Sequence, residues 1–453
     1  MYKRQVLTCS GSVISPGLIN GHDHTDYASA PPLVHGTTRW NHRHGWRTGA
    51  GNEEEVDSPR RSEDASVIAA AELRFVLGGA TSVSGSGGVP GLLRNLANFQ
   101  DTTQLEGLTG PTVFFDTFPL GDSNGTLITN GCSYPQTRSA GSAFRDDGTY
   151  SPHISEGLNG AARNEFTCLK GTLVKEKTAI IHAVGLDASD VDVIAKAKAK
   201  VVWSPRTNID LYGNTAPVTL LKAMGVTIAL GTDWLATGSM NVLRELSCAD
   251  ALNDKYFDKA FDDRTLFEMA TKNAAIALGI DTQVGTLAAG QLADIAIFSA
   301  VGGKDYRAVI GAGVEDVLLV LRGGKPLYGE ASILDALDGG ASCAELAVCG
   351  AEKKVCVDTP GVTLSDIQTV SASIYPLFYC KGETPKDEPS CVPYRDTYPD
   401  GTSATDRDGD GIPDADDNCP SVFNPTRAMD GAKQSDVDGD GLGDACDPAP
   451  LAP

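Results

Sequence analysis

Two histidines just after the first strongly apolar segment constrain this chain more than any other feature. Residues 13–19 predict a β-strand, and Gly21-His22-Asp23-His24 follows it closely. Because alternate side chains of an extended strand point to the same side, the imidazoles of His22 and His24 should face one site. A catalytic metal site built on such a pair needs further ligands from other parts of the chain.

Residue types that bind metals recur at later apolar segments. His153 and Glu156 form a His-x-x-Glu pair, His182 lies in the apolar run 179–184, and Asp233 follows the run 227–230. Between such segments, apolar residues at helical spacing predict helices at 65–77, 161–169, 188–199 and 264–278. Alternation of strands and helices indicates a parallel sheet.

We predict that residues 12–280 form an α/β fold, the TIM-type (β/α)8 barrel. Their number fits this barrel, which typically contains about 250 residues. In this barrel the C-terminal ends of the strands converge on one face, where active sites lie. Helical patterning is weak between residues 119 and 150, so the fourth βα unit is predicted to be short or irregular.

At that face, three imidazoles and one carboxylate would form a catalytic metal site with open positions for water. The candidate ligands are His22, His24, His153 and Asp233. Asp233 could also accept a proton from the attacking water, and Glu156 could protonate the departing nitrogen. His182 could stabilise the developing oxyanion. A lone His-x-His is more often structural, but the ordered set favours a metal site.

The run of residues 13–298 resembles the amidohydrolase superfamily, and more narrowly its cytosine-deaminase and chlorohydrolase-like branch. The matching motifs lie at residues 16–24, 153–157, 181–186, 204–208, 231–233 and 285–294. The resemblance implies a mononuclear hydrolase with one Zn²⁺ or Fe²⁺ ion held by the four candidate ligands. It also implies that Glu156 and His182 act on the substrate and that Asn208 shapes the pocket.

The loop after the first strand reads Trp40-Asn41-His42-Arg43-His44-Gly45-Trp46-Arg47. We interpret it as a loop over the barrel mouth in which Trp40, Arg43 and Trp46 contact the substrate. A second metal site at His42 and His44 and a plain surface loop are the alternatives.

Turn and strand character begins near residue 281 and predicts a small β domain over residues 281–335, the C-terminal half of a composite sandwich. Relatives carry the other half before the His-x-His motif. We therefore expect residues 1–11 to be a non-native or partial N-terminus, with a signal peptide lost by truncation. Residues 281–335 should then lack strand partners and expose apolar edges.

Cysteines divide the chain into two parts. Cys9, Cys132, Cys168 and Cys248 are scattered and are interpreted as buried thiols, whereas seven others crowd the last quarter. Dense cysteines imply disulfides and an oxidising compartment, so we expect a secreted or cell-surface protein. Residues 336–400 are predicted to be a Cys-rich linker. Because seven is an odd number, one of the seven C-terminal cysteines is free or pairs with a cysteine elsewhere in the chain.

Residues 401–453 contain two copies of an acidic motif with Asp at positions 1, 3, 5, 9 and 12 and Gly at position 6. This is the spacing of a calcium loop. The candidate calcium ligands are Asp406, Asp408, Asp410, Asp414, Asp417, Asp436, Asp438, Asp440, Asp444 and Asp447. The copies resemble thrombospondin type-3 repeats, which implies an irregular calcium-wrapped module with Cys419 bonded to Cys446. A disordered acidic tail is the alternative.

Bulk properties exclude some partners. A net charge of −22 argues against nucleic acid and anionic membrane surfaces. No apolar run approaches the roughly 20 residues of a transmembrane helix. The candidate metal site and the resemblance to the amidohydrolase superfamily together imply a metal-dependent hydrolase that acts on carbon–nitrogen bonds of a small molecule, as a deaminase or amidase. The alternative is a calcium-dependent extracellular adhesion or matrix protein with a decayed barrel. In either case the C-terminal module could contact a cell surface or matrix.

Overall fold

The structure is a computed structural model that describes residues 7–97, 101–110, 113–337, 343–431 and 433–452. Its strands are β1 (Ser12–Pro16), β2 (Leu18–His24), β3 (Ala80–Ser86), β4 (Arg94–Asn95), β5 (Val113–Asp116), β6 (Thr149–Ile154), β7 (Ala179–His182), β8 (Lys200–Trp203), β9 (Ile228–Leu230), β10 (Ile295–Ser299), β11 (Val317–Arg322), β12 (Lys325–Glu330), β13 (Ala344–Val348) and β14 (Ala351–Val355). Its helices are α1 (Arg43–Thr48), α2 (Ala65–Leu77), α3 (Ala140–Ala143), α4 (Gly160–Leu169), α5 (Ala188–Ala197), α6 (Pro205–Tyr212), α7 (Val218–Ala223), α8 (Val242–Lys255), α9 (Asp263–Met269), α10 (Lys272–Leu278), α11 (Tyr306–Ile310), α12 (Ala331–Ala336) and α13 (Leu364–Ser373).

Strands β2 to β9 form the predicted barrel. Strands β2 to β4 and strands β5 to β9 make two parallel sheets, each in chain order. The amide of Val113 donates to the carbonyl of Leu96 at 3.1 Å between β4 and β5. On the other side, the amide of Asp233 donates to the carbonyl of His22 at 2.9 Å and joins β9 to β2. Because all eight strands of this ring are parallel, their C-terminal ends share one rim.

The four helical segments predicted from local patterning correspond to α2, α4, α5 and the pair α9 and α10. Helix α2 has the predicted bounds, and the side chain of Asp64 caps it by accepting from the amide of Ser66 at 2.8 Å. The single helix predicted at 264–278 is instead two helices, α9 and α10. They are separated at Thr271, whose backbone is non-helical at φ −135° and ψ −99°. Residues 119–148 contain only the short α3 and 3-10 turns, as the weak patterning predicted.

The small β domain has strand partners, and the expectation that residues 281–335 expose unpaired edges is wrong. The sheet order is β1-β10-β11-β12-β14-β13. The segment predicted as one strand at 13–19 is two strands, because β1 pairs with β10 while β2 enters the barrel. Gly17 separates them, and a Cβ there would lie 2.4 Å from Cγ2 of Thr81. The predicted Cys-rich linker supplies the hairpin β13–β14, which pairs with β12.

Disulfides account for most of the cysteines. The bonded pairs in the described residues are Cys132–Cys168, Cys248–Cys391, Cys343–Cys356, Cys349–Cys380 and Cys419–Cys446. Three of the four cysteines interpreted as buried thiols are therefore bonded, and Cys9 is free. Among the seven C-terminal cysteines, Cys391 is the one that pairs outside the group, because it bonds to Cys248 in α8. The Cys419–Cys446 bond implied by the resemblance is present.

The segment between the two acidic loops packs against the barrel. Val422 pairs with Phe257 in an antiparallel bridge, and the amide of Phe423 donates to the carbonyl of Tyr256 at 2.8 Å. The amide of Met429 donates to the carbonyl of Leu158 at 3.1 Å. These contacts hold the C-terminal module beside the loops that follow the barrel strands. No helix in the described ranges has both the length and the apolar character needed to cross a membrane.

Candidate metal centre and active site

The four predicted ligands meet at the rim of the barrel. One ligand atom from each of His22, His24, His153 and Asp233 lies within 4.8 Å of the others. The Oδ1 atom of Asp233 is 3.0 Å from Nε2 of His22 and 3.6 Å from Nε2 of His24. Strand β2 supplies the first pair, β6 supplies His153, and Asp233 follows β9. The barrel therefore places together residues that are separated by up to 211 positions.

Burial keeps these imidazoles neutral. Removal from water lowers the pKa of His22 and of His153 well below the usual value, and lowers the pKa of His24 to about 4. A neutral imidazole offers a lone pair to a metal ion without first losing a proton. In addition, Nδ1 of His22 and Nδ1 of His153 are buried without a hydrogen-bond partner. Three neutral imidazoles and a carboxylate match the donor set of a catalytic zinc site.

The backbone around Asp233 is strained and tightly held. Asp233 has φ 68° and His182 has φ 72°, both in the left-handed region that non-glycine residues rarely occupy. The amide of His24 donates to the carbonyl of Asp233 at 2.7 Å. Gly231 allows the close approach of the two strands, because a Cβ there would lie 2.8 Å from the amide nitrogen of His22. The Gly-x-Asp pattern thus has a structural cause.

Glu156 lies beside the ligands with a hydrogen-bonded chain behind it. Its Oε2 is 3.6 Å from Nε2 of His182. Its Oε1 accepts from the hydroxyl of Tyr212 at 2.7 Å, and that hydroxyl accepts from Nε1 of Trp46 at 3.0 Å. Burial raises the pKa of Glu156 to about 7, against the opposing effect of Arg43. This carboxyl group can therefore hold a proton near neutral pH.

Asn208 fixes the orientation of His182. Its Nδ2 donates to Nδ1 of His182 at 3.2 Å. Because an amide nitrogen can only donate, Nδ1 is the accepting nitrogen and the proton of the neutral ring is on Nε2. Burial lowers the pKa of His182 to about 4, which keeps the ring neutral. Asn208 is not among the residues that line the cavity, so it shapes the site through its hydrogen bond to His182.

A cavity of about 490 Å³ opens at this rim. Its lining includes the aromatic residues Tyr27, Trp46, Phe115, Phe118 and Trp234 and the arginines Arg43, Arg47 and Arg61. A concave site in which aromatic walls surround convergent polar and charged groups is typical of small-molecule binding. Arg43 and Trp46 lie where the sequence predicted substrate contacts. Trp40 does not line the cavity, because it is buried and its Nε1 donates to the carbonyl of Glu54 at 2.6 Å.

The second His-x-His belongs to a buried ionic cluster. His44 Nε2 is 2.8 Å from Asp122 Oδ2, and His42 Nε2 is 3.3 Å from Glu165 Oε1. The Nη2 atom of Arg43 lies 2.7 Å and 3.2 Å from these same carboxylates. His42, His44 and Glu165 are close enough to share one ion. However, the guanidinium of Arg43 already occupies the space between the carboxylates, so the cluster positions Arg43 in the cavity wall.

Sequence reasoning missed Tyr212 and the two carboxylates that hold Arg43. Tyr212 could have been found, because it lies four residues after Asn208 in α6 and so shares its helix face. Asp122 and Glu165 carried no such signal. They lie in a loop and in a helix whose positions relative to the His-x-His depend on the assembled barrel.

The two acidic loops share one hydrogen-bond pattern. In the first loop, the carboxylate of Asp406 accepts from the amides of Gly409 at 2.7 Å and Gly411 at 3.0 Å, and Asp436 makes the equivalent bonds in the second. The carboxylates at positions 1, 3 and 5 converge within each loop: Asp406, Asp408 and Asp410, and Asp436, Asp438 and Asp440. The repeat seen in sequence is thus a repeat in structure.

The carboxylates at positions 9 and 12 differ from each other. Asp414 accepts from the amide and the side chain of Arg407, and Asp444 accepts from Ser435 and from the amide of Val437. The residues at position 9 therefore bond within their own loops and lie outside the three-carboxylate clusters, and their role as calcium ligands stays a prediction. At position 12, one oxygen of each carboxylate is buried without a partner, in Asp417 and Asp447.

Part of the chain is similar to a known protein family and to curated deaminases. Residues 140–327 match the amidohydrolase family. A 5′-deoxyadenosine deaminase of Methanothermobacter thermautotrophicus is 36% identical over 126 residues, which are 27% of this chain and 29% of that protein. A 5-methylthioadenosine/S-adenosylhomocysteine deaminase of Teredinibacter turnerae is 35% identical over 127 residues, 27% of this chain and 28% of the relative. The second half of the barrel and the start of the small β domain are thus similar to the amidohydrolase family.

The similarity to each deaminase spans less than a third of its length. Solved structures extend the likeness to most of the chain at the level of fold. An atrazine chlorohydrolase from Arthrobacter aurescens TC1 complexed with zinc covers 81% of this chain and 89% of its own, with a TM-score of 0.52 and 19% identity. A triazine hydrolase variant covers 81% of this chain and 88% of its own, with a TM-score of 0.54 and 18% identity.

Proposed function

We propose that this protein is a member of the amidohydrolase superfamily and a metal-dependent hydrolase of carbon–nitrogen bonds in small molecules, of the deaminase or amidase type. The observation that carries the proposal is the convergence of the four ligands with Glu156 and His182 at the rim of one cavity. The names of the related deaminases support the same class of reaction.

A Zn²⁺ or Fe²⁺ ion would be held by His22, His24, His153 and Asp233, whose donor atoms suit it. When bound, such an ion lowers the pKa of its water to about 7 and so supplies a hydroxide nucleophile at neutral pH.

Three side chains then move or hold protons. The carboxylate of Asp233 accepts the proton that the attacking water gives up. Glu156 holds a proton on Oε2, because Oε1 already accepts from Tyr212, and delivers it to the departing nitrogen. The Nε2–H of His182 donates to the substrate oxygen as negative charge develops. The oxygen of the water bonds to the substrate carbon, the carbon–nitrogen bond breaks, and ammonia or an amine leaves with the proton from Glu156.

The acidic loops are proposed to bind calcium in a thrombospondin type-3-like module. Support comes from oxygens that are buried without a hydrogen-bond partner in Asp408 and Asp447, which are 1% and 4% exposed. Carboxylate oxygens at this density are the ligands that Ca²⁺ prefers. Together with the disulfides, calcium loops favour a secreted or cell-surface location, and contact with a surface or matrix remains part of this proposal.

The hydrolase proposal is tested by Asp233→Asn with Asp210→Asn as the matched control. Asp210 is also buried and lies 2.7 Å from a histidine, His35, but outside the cavity. We expect the wild type and Asp210→Asn to copurify with zinc or iron and to release ammonia or amine from a panel that includes 5′-deoxyadenosine and simple amides. Asp233→Asn should lose both properties.

Equal activity of the wild type and Asp233→Asn would overturn the hydrolase proposal. Absence of a transition metal from the wild type would do the same. Either result would favour the alternative, a calcium-dependent adhesion or matrix protein with a decayed barrel.

A further inference from the structure

One metal ligand has a hydrogen-bonded chain behind it that the other two imidazoles lack. Nδ1 of His24 lies 2.9 Å from Oγ of Ser86, and Ser86 donates from Oγ to Oδ1 of Asp26 at 2.6 Å. By contrast, Nδ1 of His22 and Nδ1 of His153 have no partner. Ser86 and Asp26 therefore give His24 a hydrogen-bonded support that His22 and His153 do not have.

The direction of the hydrogen bonds fixes the tautomer of His24. A serine hydroxyl has one proton, and here it goes to the carboxylate of Asp26, which can only accept. The Ser86 oxygen must then accept from Nδ1 of His24. The proton of this neutral ring lies on Nδ1, and the lone pair of Nε2 is left free on the side of Asp233.

The far end of the chain reaches the mouth of the cavity. The Nε atom of Arg61 lies 2.7 Å from Oδ2 of Asp26 and keeps this carboxylate oriented toward Ser86. The carboxylate is 1% exposed and the arginine side chain is 64% exposed. The carbonyl of Ser86 also accepts from Oγ1 of Thr25 at 3.2 Å, which ties β3 to the residue that follows His24.

We infer that Ser86 and Asp26 are positioning residues that hold His24 with its proton on Nδ1, so that Nε2 is ready to bind the metal. This inference rests on the proposed function, because it requires a metal ion at His24. Partners of this kind around a ligating histidine typically change metal affinity by about 10- to 100-fold when they are removed.

Removal of each partner has a different consequence. In Ser86→Ala, the Nδ1–H of His24 loses its acceptor. In Asp26→Ala, the hydroxyl of Ser86 can turn and donate to Nδ1, which favours the tautomer whose Nε2 carries the proton and cannot bind metal. Ser86→Thr keeps the hydroxyl. Ser82→Ala is the matched control, because Ser82 lies on the same strand and its buried Oγ has no hydrogen-bond partner.

The first measurement is the dissociation constant of zinc, by competition with a chelator. We expect an increase of about 10- to 100-fold for Ser86→Ala and Asp26→Ala, wild-type affinity for Ser82→Ala and recovery in Ser86→Thr. Wild-type affinity in Ser86→Ala would overturn the inference, as would an equal loss in Ser82→Ala.

The second measurement is the nitrogen-15 shift of the His24 ring in the metal-free full-length protein. We expect a protonated Nδ1 in the wild type and protonation moved to Nε2 in Asp26→Ala. The same tautomer in both proteins would overturn the inference. A wild type that shows the expected tautomer but binds no zinc would instead contradict the metal site, so the two failures are distinguishable.

Discussion

The barrel site and the acidic loops gather ligands in opposite ways. The barrel draws His22 and Asp233 from distant parts of the chain, and it needs closed strand order to bring them together. Each acidic loop draws its carboxylates from one short turn, which glycines in the left-handed region allow, such as Gly409 at φ 72°. The barrel site is therefore a product of the whole fold, whereas each loop is a local structure.

The two regions also differ in charge. Neutral imidazoles can lie together in the barrel without an ion. In the first acidic loop, burial and then the charges of Asp410 and Asp417 raise the pKa of Asp408 to about 8. Negative charges at such short range repel each other unless a cation is present. We therefore expect the barrel site to keep its shape without metal and the acidic loops to depend on calcium.

The largest effect on kcat should come from Glu156→Gln, a substitution that removes a catalytic proton but leaves the metal ligands intact. Glu156→Gln removes the proton that is delivered to the departing nitrogen, so kcat should fall by about 10²- to 10⁴-fold. The zinc content should stay at the wild-type value, because Glu156 is not one of the four ligands. Steady-state kinetics and metal analysis check this prediction. A kcat within a few-fold of the wild type would contradict the role of Glu156.

The second largest effect should come from removal of calcium, which should change the protease sensitivity of the acidic loops but not that of the barrel. With zinc held constant by a metal buffer, depletion of Ca²⁺ should make residues 401–452 sensitive to protease while the barrel stays resistant. Calcium at 100 times its Kd would stabilise the folded module by about 2.7 kcal/mol. Mass spectrometry of the fragments locates the cleavage. Identical cleavage with and without calcium would show that the loops do not depend on the ion.

A smaller effect is expected from Tyr212→Phe, which removes one hydrogen bond to Glu156. We expect kcat to fall by about 10-fold, the equivalent of about 1.4 kcal/mol. The hydroxyl of Tyr212 favours the charged carboxylate and so lowers the pKa of Glu156. Its loss should raise that pKa and move the alkaline limb of the pH–rate profile to higher pH. A shift to lower pH would contradict this arrangement.

The smallest effect tests contact between the two regions. Arg427 donates from Nη1 to the carbonyl of Leu186 at 2.9 Å, in the loop that follows His182. Arg427→Ala should lower kcat a few-fold, since one hydrogen bond contributes about 1 kcal/mol. Arg407→Ala is the control, because Arg407 bonds to Asp414 within its own loop. Equal kcat values for the two variants would show that the module does not support the active-site loop.

The sequence predicted that the four candidate ligands converge, because each lies at a strand end and parallel strands bring their C-terminal ends to one rim. Helical spacing also located α2, α4 and α5. Both signals are local: they depend on residues within one strand or one helix.

Features that depend on distant pairing were not predicted. Strand β1 pairs with β10, and strand β14 pairs with β12. The pattern of residues within one strand does not indicate which other strand it pairs with. The bond between Cys248 and Cys391 spans 143 residues in the same way. Trp40 is an aromatic residue of the kind that often contacts substrates, and only the folded loop shows that it is buried.

The most direct test of the account is anomalous X-ray diffraction at the zinc absorption edge, on crystals grown with both zinc and calcium. The account predicts one zinc peak within bonding distance of His22, His24, His153 and Asp233. It predicts no zinc peak in the acidic loops, whose ligands are carboxylates. Zinc found in those loops or beside His42 and His44, with none at the four barrel ligands, would contradict it.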